Sequence, residues 1–123
     1  MIRSILALAL GAMACAVLSA QSSARQNQDV FVDTTDLGDG VHMLSTGRAG
    51  NVGLSVGEDG VFLIDTQFAP IAPYLDRAQR AVSGDRAVDI VLNTHLHGDH
   101  VLGNAYFADA GAVIMAHESV LPA

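Results

Sequence analysis

The stretch Val88-Asp89-Ile90-Val91-Leu92-Asn93-Thr94-His95-Leu96-His97-Gly98-Asp99-His100 decides how this chain is read. Val88 to Leu92 is a short, mostly apolar run of the kind that forms a buried strand. Directly after it, three histidines and an aspartate fall within positions 95–100. His95 and His97 are two apart. In extended backbone their side chains leave on the same side, about 6 to 7 Å apart at Cα, and imidazoles at that separation can converge on one metal ion. Gly98 lets the chain turn sharply, and the turn brings Asp99 and His100 towards a second position close by. The cluster lies at the C-terminal end of a strand, the edge where sheets with crossover helices favour ligand sites.

On the N-terminal side of this run the pattern is that of strands and turns. Val30 to Leu37 and Val41 to Thr46 read as a hairpin about Gly38-Asp39-Gly40. Val52 to Val56 and Val61 to Ile64 read as two further strands joined through Glu58-Asp59-Gly60. Val61-Phe62-Leu63-Ile64 is apolar throughout, as a strand buried on both faces would be, and Asp65 ends it. Ala69-Pro70 then opens a helix over 71–82, with Leu75, Ala78 and Val82 on one face and Ser83-Gly84 as its stop. On the C-terminal side, Leu102 to Ala110 reads as one short helix ended by Gly111, and Ala112 to Ala116 as a third buried strand. Glu118 begins another helical turn. Strands followed by strand-helix-strand-helix-strand predict an α/β fold, a mixed sheet with helices packed on a face.

Composition narrows the chemistry. The net charge is −7, from thirteen acids against six bases, and every base is arginine. No basic stripe is present for a nucleic-acid backbone. The single cysteine, Cys15, excludes an intrachain disulfide and a cysteine-built zinc site, so a metal must be held by imidazole and carboxylate.

The first residues read as an export signal. Arg3 gives a positive start, and Ile5 to Leu18 is an uncharged apolar run too short to span a membrane. Ser22-Ser23-Ala24 offers cleavage after Ala24, with Ala20 as the alternative. Without a twin arginine the general secretory route is expected, which places the product in the periplasm or outside the cell with no stable membrane anchor after cleavage. Residues 1–24 are thus assigned to a signal peptide, 25–29 to a flexible lead-in and 30–123 to the folded domain. Removing 1–24 leaves five bases against thirteen acids, a net charge of −8.

His-x-His-x-Asp-His after an apolar strand resembles the signature of the metallo-β-lactamase superfamily. The flanks resemble it too: Val52 to Gly57, Glu58-Asp59-Gly60 and Phe62 to Thr66 look like its paired strands leading to an acidic residue near the metals. Val91-Leu92-Asn93-Thr94, Gly103-Asn104-Ala105 and Val113 to Glu118 look like their usual neighbours. The resemblance runs from about Val30 to the C-terminus. It implies the N-terminal half of an αββα sandwich with helices on the outer face. It also implies that His95 and His97 bind a first zinc and Asp99 and His100 a second, two ions per complete domain, with iron or manganese as alternatives. Asp99 would be catalytic as well, orienting the nucleophile and helping to deliver a proton to the leaving group. Asp65 would lie beneath the site and orient a histidine by a hydrogen bond, as residues behind metal ligands do. A zinc ion lowers the pKa of bound water to about 7. The activity implied is attack by metal-activated water on the carbonyl of a small-molecule ester, thioester, lactone or β-lactam.

The departure from the family comes after His100. The complete site adds a further histidine, a bridging aspartate or cysteine and a last histidine from the second half of the domain. Here only Asp109, His117 and Glu118 remain, none in the expected context. His117 is read as structural and His42 as an ordinary strand residue. Each proposed zinc has two ligands against the three usual for a catalytic ion. The chain is therefore expected to be the first part of a longer protein, to leave one sheet face uncovered and, alone, to bind metal weakly with little activity. Two other readings remain open: a non-enzymatic periplasmic metal-binding or interaction module, and an iron-dependent redox relative.

Overall fold

The computed structural model describes residues 30–120. The signal and lead-in segments expected over 1–29, with Cys15, Ala20 and Ala24, lie outside the described residues. Six strands form one sheet in sequence order: β1 (Asp33–Gly38), β2 (Val41–Ser45), β3 (Val52–Gly57), β4 (Gly60–Ile64), β5 (Ile90–Asn93) and β6 (Val113–Ala116). The first four run antiparallel to their neighbours, and β4, β5 and β6 run parallel. Parallel neighbours need crossovers, supplied by α1 (Ala72–Ser83) between β4 and β5, and by α2 (Gly98–Val101) and α3 (Asn104–Asp109) between β5 and β6. A 3₁₀ turn, Glu118–Val120, follows β6. The chain is an α/β protein with a mixed sheet, as its element order predicts.

Side chains alternate across a sheet, and the register shows which side is which. Leu44 pairs with Val52, Leu54 with Leu63, Leu63 with Val91, and Val91 with Ile114, so these residues share one face. That face packs with Ala72 and Leu75 of α1 and Phe107 of α3 into a single core. The 3-to-4 spacing of Ala72, Leu75 and Gln79 turns one side of α1 inward. The opposite face carries Met43, Gly53, Ile64, Leu92 and Met115 in one cross-strand row, and Val41, Ser55, Phe62, Ile90 and Val113 in the next. Ile64, Leu92, Val113 and Met115 are exposed there.

Two expectations need correction, and one helix is added. The apolar runs 61–64 and 112–116 are not buried on both faces: Val61 and Leu63 are buried but Ile64 is exposed, and β6 is mostly exposed. Period-2 geometry sends half of each run to the face that no described element covers. The helix expected over 102–110 is present as α3, Asn104–Asp109, and an unexpected helix, α2, precedes it from Gly98. The break falls at Gly103, whose amide donates to the Gln67 carbonyl at 2.9 Å. Gly103 lies so close to the Thr66 carbonyl that a Cβ would collide with it. That close approach interrupts the helix and fixes it to the end of β4.

Candidate metal centre

The parallel strands β4 and β5 end side by side, and every sequence-predicted site residue follows one of those two ends. After β4, Asp65 turns away in a left-handed conformation, φ 68°. It is buried, and its amide donates to the Leu92 carbonyl at 3.0 Å. Its carboxylate accepts from the Thr94 amide at 2.8 Å and from the Thr94 hydroxyl at 2.7 Å. It also contacts Nδ1 of His100 at 2.7 Å. A buried carboxylate is costly unless fully hydrogen-bonded, and these contacts supply that while joining the ends of β4 and β5.

After β5, residues 94–97 form a bend rather than an extended strand, and Gly98 starts α2. The one-sided placement expected for His95 and His97 from strand geometry is thus reached another way. Their ring centroids are 4.8 Å apart, edge to face, and the His95 and His100 rings are 3.9 Å apart. Asp99 stands in the first turn of α2, its Oδ2 3.4 Å from His100 Nε2. The structure therefore gathers His95, His97, Asp99 and His100 at one place, with Asp65 behind His100. His117 stands apart on the surface, its Nδ1 2.9 Å from the Ser119 hydroxyl within the terminal turn. His42 lies on β2, 3.8 Å from Asp36.

The donor set was tested against a metal ion by its chemistry. With Nδ1 engaged by Asp65, His100 has Nε2 left for coordination, the arrangement typical of imidazole ligands backed by a carboxylate. Two further imidazoles and a carboxylate adjoin it, a nitrogen and oxygen set suited to zinc and its neighbours. The residues fit an ion in kind. Among the described residues, no group of three or more His, Cys, Asp or Glu side chains is placed so that it could hold a metal ion.

Four residues of the site were not singled out by sequence reasoning: Thr66, Gln67, Asn93 and Asn104. The His100 carbonyl accepts from the Thr66 amide at 2.9 Å and from Asn93 Nδ2 at 3.2 Å, with the Thr66 hydroxyl 3.1 Å away. Asn93 and Asn104 bond to each other through Asn104 Nδ2 and Asn93 Oδ1, 2.6 Å, and through Asn93 Nδ2 and Asn104 Oδ1, 3.1 Å. His100 is thus held at its ring by Asp65 and at its backbone by this amide network. The signals in the sequence were the resemblance of the stretches holding Thr66, Asn93 and Asn104, and position: an Asn ending an apolar strand and an Asn just after a glycine.

The chain belongs to the metallo-beta-lactamase superfamily, whose family model matches residues 45–121, more than half of the sequence. Solved structures similar to it include a mutant of the metallo-beta-lactamase with a HARLDQ motif from Cronobacter sakazakii, at 26% identity and a TM-score of 0.64 over 73% of this chain and 36% of that one. A metallo-beta-lactamase from Erythrobacter litoralis with beta-mercaptoethanol in its active site is similar at 26% identity and a TM-score of 0.63, over 72% of this chain and 42% of that one. The FIM-1 metallo-beta-lactamase of Pseudomonas aeruginosa in its mono-zinc form shares the fold at 22% identity and a TM-score of 0.63, over 77% of this chain and 46% of that one. The chain thus spans less than half the length of these structures. No curated protein matches it.

Proposed function

We propose that the full-length protein is an exported, zinc-dependent hydrolase. The observation that carries this reading is His100, whose Nδ1 is tied to the buried Asp65 while its Nε2 lies 3.4 Å from Asp99 and its ring lies 3.9 Å from that of His95, itself beside His97. The superfamily likeness supports the reaction class. The apolar run Ile5 to Leu18 supports export to the periplasm or medium. In this reading His95, His97, Asp99 and His100 are the ligands this chain contributes, and two zinc ions serve the complete domain. A bound zinc supplies Lewis acidity and makes water acidic enough to ionise near neutral pH.

The chain's own residues do the rest. Asp65 fixes the tautomer and direction of the His100 ring. The Thr66, Asn93 and Asn104 network keeps the His100 backbone from moving. The Asp99 carboxylate, 3.4 Å from His100 Nε2, would orient the attacking water, take up the proton that water loses and pass it to the leaving group. The substrate is a small molecule with an activated carbonyl, an ester, thioester, lactone or β-lactam. A polyanionic nucleic acid is disfavoured by the acidic chain.

The test is metal analysis of the full-length protein together with turnover of chromogenic substrates from the four carbonyl classes, in wild type and Asp99→Ala. Zinc in the wild type and a loss of turnover of at least about 100-fold in the variant are the expected results. Iron with redox activity in place of zinc would move the protein to the redox reading. Bound metal with function untouched by Asp99→Ala would make it a non-enzymatic module.

A further inference from the structure

The loop between β2 and β3, residues 46–51, approaches the candidate metal centre at Gly50. An ideal Cβ placed on Gly50 would lie 2.8 Å from His100 Cε1 and 3.0 Å from His100 Nε2. Gly50 is therefore packed against the edge of the ring that carries Nε2, the nitrogen not bonded to Asp65. A flexible side chain could swing away from such a Cβ, but His100 cannot do so easily. Its Nδ1 is held by Asp65, and its carbonyl is held by Thr66 and Asn93.

The loop is held equally firmly from its own side. Gln67 is fully buried and follows the strand end in a left-handed conformation, φ 59°. Its side-chain amide donates to the Gly50 carbonyl and lies 3.5 Å from the Arg48 carbonyl. Its own carbonyl accepts from Gly103 between α2 and α3. One buried glutamine thus connects the loop to the segment that carries the ligands. A buried amide that loses such partners leaves polar groups unsatisfied, so the loop has one preferred seat.

We propose that Gly50, seated by Gln67, is the wall that keeps Nε2 of His100 open to a metal ion, with Gln67 as the positioning residue. The role of Gly50 is its missing side chain: a methyl group there would occupy the approach to Nε2 or turn the ring. The role of Gln67 is indirect, through the loop backbone. This inference rests on the reading of His100 as a metal ligand, and the measurements separate the two.

The experiment uses the full-length protein as wild type, Gly50→Ala and Gln67→Met, a replacement of similar length without the amide. Nitrogen-correlated NMR of the histidine side chains in the metal-free proteins reports the His100 ring. Competition against a chromogenic chelator reports zinc affinity. The expected result is displaced His100 ring signals in both variants and zinc affinity lower by about 10-fold or more in Gly50→Ala, with a smaller loss in Gln67→Met. A folded Gly50→Ala protein with wild-type His100 signals and wild-type zinc affinity overturns the proposal. If Gly50→Ala does not fold, Gln67→Met decides in the same way. A wild type that takes up no zinc overturns the ligand reading of His100, and the metal-free signals still decide whether Gly50 and Gln67 set the ring.

Discussion

Leu63 and Val91 lie fully buried on the helix side of the sheet, in one core with Leu75 and Phe107. Ile64 and Leu92, the next residue in each strand, are 39% and 46% exposed on the other side. The same strands with the same apolar composition therefore make two different surfaces. On one, helices exclude water. On the other, Met43, Ile64, Leu92 and Met115 form a row that no described element covers. A contiguous apolar patch of this kind marks a surface built to meet another one. Apolar character thus marks residues as suited to burial, while which of the two faces gains a cover is set by other elements.

Paired truncations in the two faces put this contrast under the most direct strain. Leu63→Ala removes buried contacts and leaves a cavity, so it is expected to cost about 2–5 kcal/mol in urea unfolding. Leu92→Ala, one position away from Val91 on the opposite side, is expected to change stability by less than about 0.5 kcal/mol. Equal losses would mean that the bare face is covered in solution, and the distinction drawn from exposure would fall.

A smaller effect is expected where the strands give way to the site. Asp65 lies at the seam, buried at the end of β4, and its carboxylate meets Thr94 twice and His100 once. Asp65→Asn keeps the shape but replaces one accepting oxygen with a donor. It should cost about 1–3 kcal/mol in the metal-free protein, the penalty for unsatisfied buried partners. It should also weaken zinc binding by about 10- to 100-fold, the usual consequence of altering the group behind an imidazole ligand. Chelator competition and urea unfolding on the same samples check both. A stability loss with unchanged zinc affinity would make Asp65 part of the strand joint only.

Much of this was legible in the sequence because it is local. The strand at Val88 to Leu92, the turn at Glu58-Asp59-Gly60 and the cluster from His95 to His100 are written in consecutive residues, and periodicity reads such patterns directly. That one face would be bare was expected from the resemblance, but that Ile64 and Met115 lie on it was not legible, since which face gains a partner depends on elements distant in sequence. The helix break at Gly103 was hidden for a similar reason: it is set by the Thr66 carbonyl, 37 positions upstream. Thr66, Gln67, Asn93 and Asn104 were given no role because each looks like an ordinary polar residue at the end of an element. Their role appears only when the ends of β4 and β5 and the starts of α2 and α3 are brought together.

The smallest effect belongs to the outer surface of the helix layer, beyond the buried face. The Tyr106 hydroxyl of α3 donates to Asp76 Oδ2 of α1 at 3.2 Å, and Asp76 also pairs with Arg80 at 3.0 Å. Partial burial, and then the neighbouring Asp76 charge, hold the Tyr106 phenol above its ordinary value. Folding therefore favours the protonated phenol, so this contribution is complete below the unfolded-state value near 10 and is lost as pH rises through the higher folded-state value. Because the group is more than a third exposed, solvent screens the effect. Tyr106→Phe should lower stability by no more than about 0.5 kcal/mol at pH 8. The difference between variant and wild type should shrink as the pH is raised past about 10, because phenolate beside Asp76 penalises only the wild type. Urea midpoints of the two proteins across that range make the comparison. A gap that widens with pH would show that the hydroxyl meets a cationic partner instead, and that the helix layer is joined differently on its outer side.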